Sequence, residues 1–213
     1  MQKTKPKLYL DWCSHKAAKY ACENWHYSKC VPKGKLAKIG VWENDCFIGC
    51  VLFGYGANSN VIIQFGLENN QGCELVRVAL KAHISPVSKI LAKAIKILKK
   101  HFSKLQILIS YSDIGQNHHG GIYQAANWMY LGVTRKNCIK AIRIKNIEYH
   151  QRTVSRKYGT VNIDYIRNNI DKNAKRVYDD GKHKYIYPLS DDIFNKYKNE
   201  TKPYPKRTKK EAS

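Results

Sequence analysis

The sequence predicts a mixed α/β (α+β) fold in which a largely antiparallel sheet carries helices on both faces. Hydrophobic residues make up 43% of the 213-residue chain, which is enough for a packed core. Two strand-like runs flank Asn44-Asp45 and predict a tight hairpin. Farther along, apolar residues repeat with helical spacing between two strand-like runs. This order of elements is typical of helices packed on a sheet.

The N-terminal half is predicted to begin with one helix and to continue mainly as strands. Ser14 can cap a helix that extends to about Trp25, because small and aromatic residues follow near helical spacing. Strand-like runs follow at 38–44, 46–56 and 72–81, and a further apolar run lies at 61–67. The pattern indicates several neighbouring strands after the first helix.

The clearest predicted element is an amphipathic helix that starts at Pro86. Ser85 can cap it, and its apolar residues recur at the spacing of one helical face. A buried strand at 105–113 and a loop of Gly, Asn and His at 114–121 come next. A short helix and a strand at 140–145 complete the predicted sheet.

We predict a single domain over residues 1–190, with residues 146–190 packed on it as a C-terminal extension. From residue 191 the chain is polar and rich in lysine, which predicts a basic, flexible tail over residues 191–213.

The charge of the chain indicates a polyanionic partner. Lys and Arg number 38 against 16 Asp and Glu, a net charge of +22. Residues 1–132 carry +10 and residues 133–213 carry +12, so the excess is not confined to a tail. Nucleic acid or a phosphorylated cofactor would relieve the self-repulsion. A structural nucleic-acid binder without catalysis is the alternative.

Hydropathy and cysteine content indicate the cellular compartment in which the chain is expected. We expect no membrane span, because no run of about 18 apolar residues occurs. The N-terminus lacks an apolar stretch of signal-peptide length. Seven cysteines without a C-x-x-C pair favour a reducing compartment.

A first candidate site is the turn before the helix at Pro86. Backbone N–H groups at a helix start and the nearby Lys81, His83, Ser85 and Ser88 could hold a pyrophosphate. A plain helix cap explains the same residues.

A second candidate site lies at 110–132, where a strand delivers Ser110, Ser112 and Asp113 to its carboxyl end. Polar side chains that could bind a metal or relay protons follow closely: His118, His119 and Tyr123. The alternative is a helix-capping Asp113 with two histidines at the surface.

A third candidate site is the end of the first helix. Trp25 and Tyr27 could stack on an exposed base, and His26 could ligate a metal or act as an acid or base. A helix end packed on the sheet is the alternative.

Two resemblances follow from these segments. The order of hairpin, strand, helix, strand and the short helix in IYQAANWMYLG is similar to the GCN5-related N-acetyltransferase layout. More specifically, HYSKC, ELVRVAL and SYSDIGQNHHGGIYQAANWMYLG resemble the bacteriophage Mom family over roughly residues 8–145. The spacing from Asp113 to Tyr123 is the most specific part of this resemblance.

The Mom resemblance implies an enzyme that adds a carbamoylmethyl group to the exocyclic amine of adenine in phage DNA and so protects it from host restriction. An acetyl-CoA or related acyl-CoA cofactor and iron are implied. The implied catalytic residues are His26, Tyr27, Asp113 and Tyr123, and His26, Asp113 and Tyr123 would also hold the iron. The implied cofactor contacts are Arg77, Ser85, Ser88 and Lys89, although ISPVSK stands where acetyltransferases have a Gly-rich loop.

The resemblance also implies double-stranded DNA as the partner and the cytoplasm of the bacterial host as the setting. The target base must leave the stack, so Trp25 and Trp128 are candidates to stack on it. Further predicted nucleic-acid contacts are Lys29, Lys33, Lys35, His118 and His119. A conventional acetyl-CoA-dependent N-acetyltransferase and a catalytically inert DNA-binding protein stay open as alternatives, as does a homodimer.

Overall fold

The computed structural model describes residues 5–55 and 60–207, which divide into two compact units. Of the described residues, unit 1 comprises 5–55, 60–111, 120–132 and 184–206. Unit 2 comprises the described residues 112–119, 133–183 and 207. The strands are β1 Leu8–Trp12, β2 Leu36–Glu43, β3 Cys46–Gly54, β4 Gly72–Leu80, β5 Ile107–Asp113, β6 Met129–Val133, β7 Ile139–Ile144, β8 Ile147–His150, β9 Lys175–Tyr178 and β10 Lys182–Pro188. The helices are α1 His15–Trp25, α2 Asn60–Ile63, α3 Val87–His101, α4 Gly121–Gln124, α5 Gln151–Tyr158, α6 Ile163–Asn169 and α7 Asp191–Tyr197.

The larger sheet has seven strands in the order β1-β2-β3-β4-β5-β10-β6. Neighbours from β1 to β4 pair antiparallel, and β4 pairs with β5 in parallel. The predicted hairpin is confirmed: β2 and β3 join at Asn44 and Asp45, whose φ angles of 51° and 63° form the tight turn. The predicted class, a mixed and largely antiparallel sheet, is therefore confirmed.

Helices cover both faces of this sheet because β3 alternates its apolar side chains. Cys50 and Leu52 pack in one cluster with the α1 residues Ala18 and Cys22. Val51 and its neighbours on the other face pack in a second cluster with α3. The period-2 alternation of a strand thus supplies both cores from one element, and the prediction of helices on both faces is confirmed.

The two long helices begin differently. Ser14 caps α1 as predicted, its hydroxyl accepting from the Ala17 N–H at 3.1 Å. In contrast, Pro86 occupies the cap position of α3, so the prediction that Ser85 caps this helix is wrong. Within the described ranges no helix is long and apolar enough to cross a membrane.

Strands β4 and β5 run together only briefly. Their backbone pairing covers Gly72–Glu74 against Ile107–Ile109 and then ends. At the next position the Ser110 hydroxyl donates to the Leu75 carbonyl at 2.8 Å, in place of a backbone bond. Among the described pairings, the rest of β4 toward Leu80 has no partner on its β5 side.

Unit 2 has its own sheet and its own core. Strands β7, β8 and β9 form an antiparallel sheet in the order β8-β7-β9. Ile142 and Ile144 on β7 pack with Val154 of α5 and Ile166 of α6. The predicted extension at 146–190 is divided between the two units: its residues up to 183 belong to unit 2, and residues 184–190 belong to unit 1.

Residues 191–207 also differ from the predicted flexible tail. Helix α7 is capped by Ser190, and its Ile193 and Tyr197 are buried in an apolar cluster of unit 1. Tyr204 then donates its hydroxyl to the Trp128 carbonyl at 2.8 Å. Apolar side chains at helical spacing anchor this basic segment. Residues 208–213 of the predicted tail lie outside the described residues.

Candidate active site

A buried pair of hydroxyls lies in unit 1 where β4 and β5 part. Tyr123 on α4 and Ser110 on β5 place their oxygens 2.7 Å apart, and Ser110 also lies 2.8 Å from the Leu75 carbonyl. A carbonyl oxygen only accepts, so the single Ser110 proton goes to Leu75, and Tyr123 donates to Ser110. The result is a short chain of donated protons that starts at the phenol.

The Tyr123 phenol is held in its neutral form. Burial raises its pKa to about 12. The negative charge of Glu74 and the nearby phenol of Tyr27 raise this pKa further. Tyr123 is therefore suited to hold or donate a proton, and the phenolate that a metal would require is disfavoured.

The aromatic surroundings of Tyr123 fix its ring. Trp128 and Tyr185 pack against it with ring centroids at 5.3 and 5.1 Å. Trp128 has no exposed surface, so the interpretation that it stacks on a base is wrong. Gly120, with φ +77°, lets the chain pass so close to Tyr185 that an added Cβ would lie 2.5 Å from the ring.

His26 and Tyr27 adjoin at the end of α1, with ring centroids 4.3 Å apart. The Ser28 backbone N–H donates to His26 Nδ1 at 3.1 Å, so Nδ1 is an acceptor and the neutral ring carries its proton on Nε2. A metal bound at Nε2 would need the opposite tautomer. Tyr27 is 56% exposed, unlike the buried Tyr123.

Asp113, His118 and His119 belong to unit 2, whereas His26, Tyr27 and Tyr123 belong to unit 1. Asp113 accepts from the Gly115 N–H at 2.9 Å and caps the short 3-10 turn that follows β5. This is the helix-capping alternative. His118 is exposed and His119 is half-buried.

The predicted iron ligands do not fit a metal site. His26 Nδ1 accepts from the Ser28 N–H, Asp113 caps the turn after β5, and the Tyr123 phenol is bonded to Ser110. Across residues 5–55 and 60–207, no three His, Cys, Asp or Glu side chains come together as a metal-holding group. Iron thus gains no support from the described residues.

The predicted pyrophosphate turn before α3 already holds an anion. The carboxylate of Glu43, at the end of β2, accepts from the Ile84 N–H at 2.8 Å and from the Ser85 N–H at 2.7 Å. Glu43 is buried; burial raises its pKa, but these hydrogen bonds and the charge of His83 outweigh burial and lower it. A diphosphate could take these amides only by displacing this carboxylate.

The four predicted cofactor residues do not form one cradle. Ser88 is half-buried in the first turn of α3, and Lys89 is exposed. Arg77 is associated with α1 instead: the pKa of Cys22 is lowered by a hydrogen bond with Cys50 and, against its burial, by the charge of Arg77. Arg77 also lies opposite Leu52 in the pairing of β4 with β3, and Leu52 packs in the α1 cluster, whereas α3 packs in the other cluster.

The residues predicted to meet nucleic acid in unit 1 fall into two groups. Trp25 is half-buried against Phe47, with ring centroids at 5.9 Å, and the Lys81 ammonium lies 5.7 Å from its ring. Its packing matches the alternative of a helix end docked on the sheet. Lys29, Lys33 and Lys35 are exposed. Lys35 also lines a pocket of about 440 Å³ at the start of β4, together with Trp12, Lys38, Tyr55 and Phe102.

Two carboxylates at these sites were not predicted from the sequence. Glu74 acts on Tyr123 from within β4, and Glu43 fills the turn before α3. Each stands in or directly after an apolar strand-like run. A carboxylate in such a run indicates a buried charge that needs a partner, and this signal could have found both.

The candidate site lies where β4 and β5 part beside a buried tyrosine, in a mixed sheet covered by helices on both faces. The chain that forms it belongs to the Mom protein family, whose model matches residues 7–206. The resemblance stated from the motifs is thereby confirmed.

Two solved structures are similar to the chain. One is an acetyltransferase from Bacillus subtilis in complex with CoA, at 11% identity and a TM-score of 0.45, covering 87% of this chain and 100% of that chain. The other is FeeM, an N-acyl amino acid synthase from uncultured soil microbes, at 10% identity and a TM-score of 0.45, covering 92% and 95%. The comparison with curated proteins gave no match.

Proposed function

We propose that this protein is a DNA-modifying transferase that adds a carbamoylmethyl group to the exocyclic amine of adenine and so protects phage DNA from restriction. The observation that carries the proposal is the match to the Mom family, which spans residues 7–206 and so includes both units. The net charge of +22 supports a polyanionic substrate.

The hydroxyl pair of unit 1 supplies the proton chemistry in this proposal. Attack at a thioester carbonyl would give an N-acyl adenine, so the donor must carry a leaving group on the methylene carbon of the carbamoylmethyl unit. When the adenine nitrogen bonds to that carbon, the bond from the carbon to the leaving group breaks, the leaving group takes the electron pair, and the amine loses a proton. Tyr123 is neutral and can rotate its hydroxyl from Ser110 toward that leaving group. Glu74, the carboxylate whose charge acts on Tyr123, is the candidate to accept the proton of the amine.

The aromatic contact to the extruded base is assigned to Tyr27. Its ring is exposed, it adjoins His26, and it influences the Tyr123 phenol. Trp128 is fully buried and Trp25 is packed against Phe47, so neither offers an equivalent face. Base stacking on an aromatic side chain contributes about 1–3 kcal/mol.

We keep an acyl-CoA-type donor in the proposal, but we assign its contacts to β4 and not to the turn before α3. The stretch of β4 beyond Glu74 offers backbone groups to an extended, amide-bearing arm. The turn before α3 is not assigned to the diphosphate, because Glu43 holds its amides. No step of the proposed reaction uses iron, because the predicted iron ligands do not form a metal site.

The partner and setting are proposals as well. Double-stranded DNA is the proposed substrate, met in the cytoplasm of the bacterial host during phage or prophage expression. A homodimer stays a prediction that no observation on the described residues tests.

Mass spectrometry of nucleosides from cells that express the chain tests the proposed function. We expect an altered deoxyadenosine that is absent from cells without the gene. Unmodified DNA together with an acetylated small molecule or protein would instead indicate a conventional N-acetyltransferase. Unmodified DNA with no acetylated product would indicate a DNA-binding protein without catalysis.

A further inference from the structure

Unit 2 carries an excess of positive charge that its own fold does not consume. Residues 133–183 contain 13 Lys and Arg against 5 Asp and Glu. Four of the five acidic side chains are used internally: Glu148 pairs with Arg143 at 2.6 Å, and Asp164 pairs with Arg167 at 3.6 Å. Asp171 accepts from the Lys145 N–H at 2.6 Å, and Asp179 in the same way holds a backbone N–H.

Helix α5 concentrates this excess on one face. Its sequence, QRTVSRKY, has three cations and no acidic residue. Arg152 and Arg156 are exposed and lie one turn apart, whereas Val154 faces the core of unit 2. Their Cα atoms are thus about 6 Å apart along the helix axis, and both side chains are exposed to solvent.

The position of Arg152 argues against a purely structural role. It lies in the first turn of α5, where the helix dipole is positive and a cation is unfavourable. Arg156 and Lys157 lie in the last turn, where the dipole favours them. Lys157 is further held over Tyr149 and Tyr158, at 5.2 Å from each ring. Of the three cations of α5, only Arg152 lies where the helix dipole disfavours a positive charge.

We infer that the solvent face of α5, formed by Arg152 and Arg156, is a phosphate-binding surface for the backbone of double-stranded DNA. Paired guanidinium groups suit phosphate oxygens because each presents several donors in a fixed plane. Contacts of this kind position the protein without reading sequence. The choice of duplex DNA among polyanions rests on the proposed function.

The test measures binding of the full chain to a fluorescently labelled DNA duplex by anisotropy, over a series of salt concentrations and without any donor. We expect the double variant Arg152→Gln/Arg156→Gln to bind at least about tenfold more weakly, equally for unrelated sequences. The slope of log affinity against log salt should fall by about 2, since each lost phosphate contact contributes about 0.9. Thermal unfolding confirms that the variant is folded.

The matched control is Lys96→Gln/Lys100→Gln, which removes two exposed cations one turn apart on α3 of unit 1. It should keep the affinity and the salt slope of the parent chain. A second variant, Arg152→Lys/Arg156→Lys, keeps both charges and should recover most of the salt slope.

Three results would overturn the inference: unchanged duplex binding in the α5 variant, an equal loss in the α3 variant, or a loss confined to single-stranded RNA or anionic vesicles. The outcome is separable from the proposed function. Duplex binding is measured without catalysis, so unmodified adenine in cells would leave this result intact. Conversely, normal duplex binding by the α5 variant would overturn this inference but would not contradict the proposed adenine modification.

Discussion

Two buried sites of unit 1 differ in charge: one contains neutral hydroxyls and the other contains a carboxylate. Where β4 and β5 part, Tyr123 and Ser110 form a chain of neutral hydroxyls in a buried aromatic surrounding. At the turn before α3, a buried carboxylate from Glu43 is bound by two backbone N–H groups. The hydroxyl pair has protons available for transfer, whereas the Glu43 carboxylate is already bound by its two N–H donors. The hydroxyl pair is therefore suited to chemistry, and the Glu43 contact to structural support.

The largest expected effect is on the hydroxyl pair. Tyr123→Phe removes the phenol proton, and adenine modification should fall between about 100- and 10,000-fold, the usual range for a lost acid or base. Nucleoside mass spectrometry measures the change. The matched control is Tyr204→Phe, which removes a hydroxyl that donates to the Trp128 carbonyl in the same unit. If both variants lose activity equally, Tyr123 has no special role.

The aromatic packing around Tyr123 provides the next largest effect. Gly120→Ala places a Cβ about 2.5 Å from the Tyr185 ring at a φ of +77°. We expect the free energy of unfolding to drop by about 2–4 kcal/mol from overpacking and backbone strain. Gly66→Ala is the control, since its φ of +75° is similar and its nearest contact lies at 3.5 Å. Chemical denaturation should show a loss of only about 1 kcal/mol there, and equal losses would remove the close contact as the cause.

The Glu43 contact should have a smaller effect on stability and none specific to chemistry. Glu43→Gln sets an amide NH2 against backbone donors, and we expect a loss of about 1–3 kcal/mol in the free energy of unfolding. Glu23→Gln, which removes an exposed carboxylate paired with Lys19 on α1, should change it by less than about 0.5 kcal/mol. If Glu43→Gln keeps full stability and gains CoA binding, the prediction is contradicted and the turn before α3 is a cofactor site.

The same residue makes a prediction about acid. The pKa of Glu43 is lowered in the folded chain from its ordinary value of 4.5. Its contribution to stability is therefore fully present above that value and is lost as pH falls through the lowered folded pKa. The stability gap between the parent chain and Glu43→Gln should close in that acidic range. A gap that widens there would reverse the assigned sign.

The smallest expected effect concerns Asp113. Asp113→Asn keeps a side-chain oxygen that can accept from the Gly115 N–H, so stability should change by about 0.5 kcal/mol or less. Adenine modification should persist in the same nucleoside assay. A loss of about 100-fold would contradict the capping role and return Asp113 to the catalytic or metal-binding set.

Local periodicity predicted the parts of the fold that depend on neighbours in sequence. Helix α1 with its Ser14 cap, the hairpin at Asn44-Asp45 and helix α3 all follow from spacing, capping and turn residues. The contact of Glu43 with Ser85 joins residues 42 apart. No local pattern encodes such a pairing.

Two further differences have the same origin. Unit 2 is assembled from separated segments, so no single composition change marks its boundary. Helix α7 lies in a segment whose lysines indicated a solvated tail, but Ile193 and Tyr197 bury against unit 1. At the candidate site, Tyr123 and Tyr27 follow from motifs, whereas the bond of Tyr123 to Ser110 required the sheet geometry.

The most direct test of the central claim is a side-by-side nucleoside analysis of DNA from cells that express the parent chain, Tyr123→Phe or Tyr204→Phe at equal levels. The account predicts modified deoxyadenosine with the parent chain and with Tyr204→Phe, and its near absence with Tyr123→Phe. Unmodified deoxyadenosine in all three, or equal modification in all three, would contradict it.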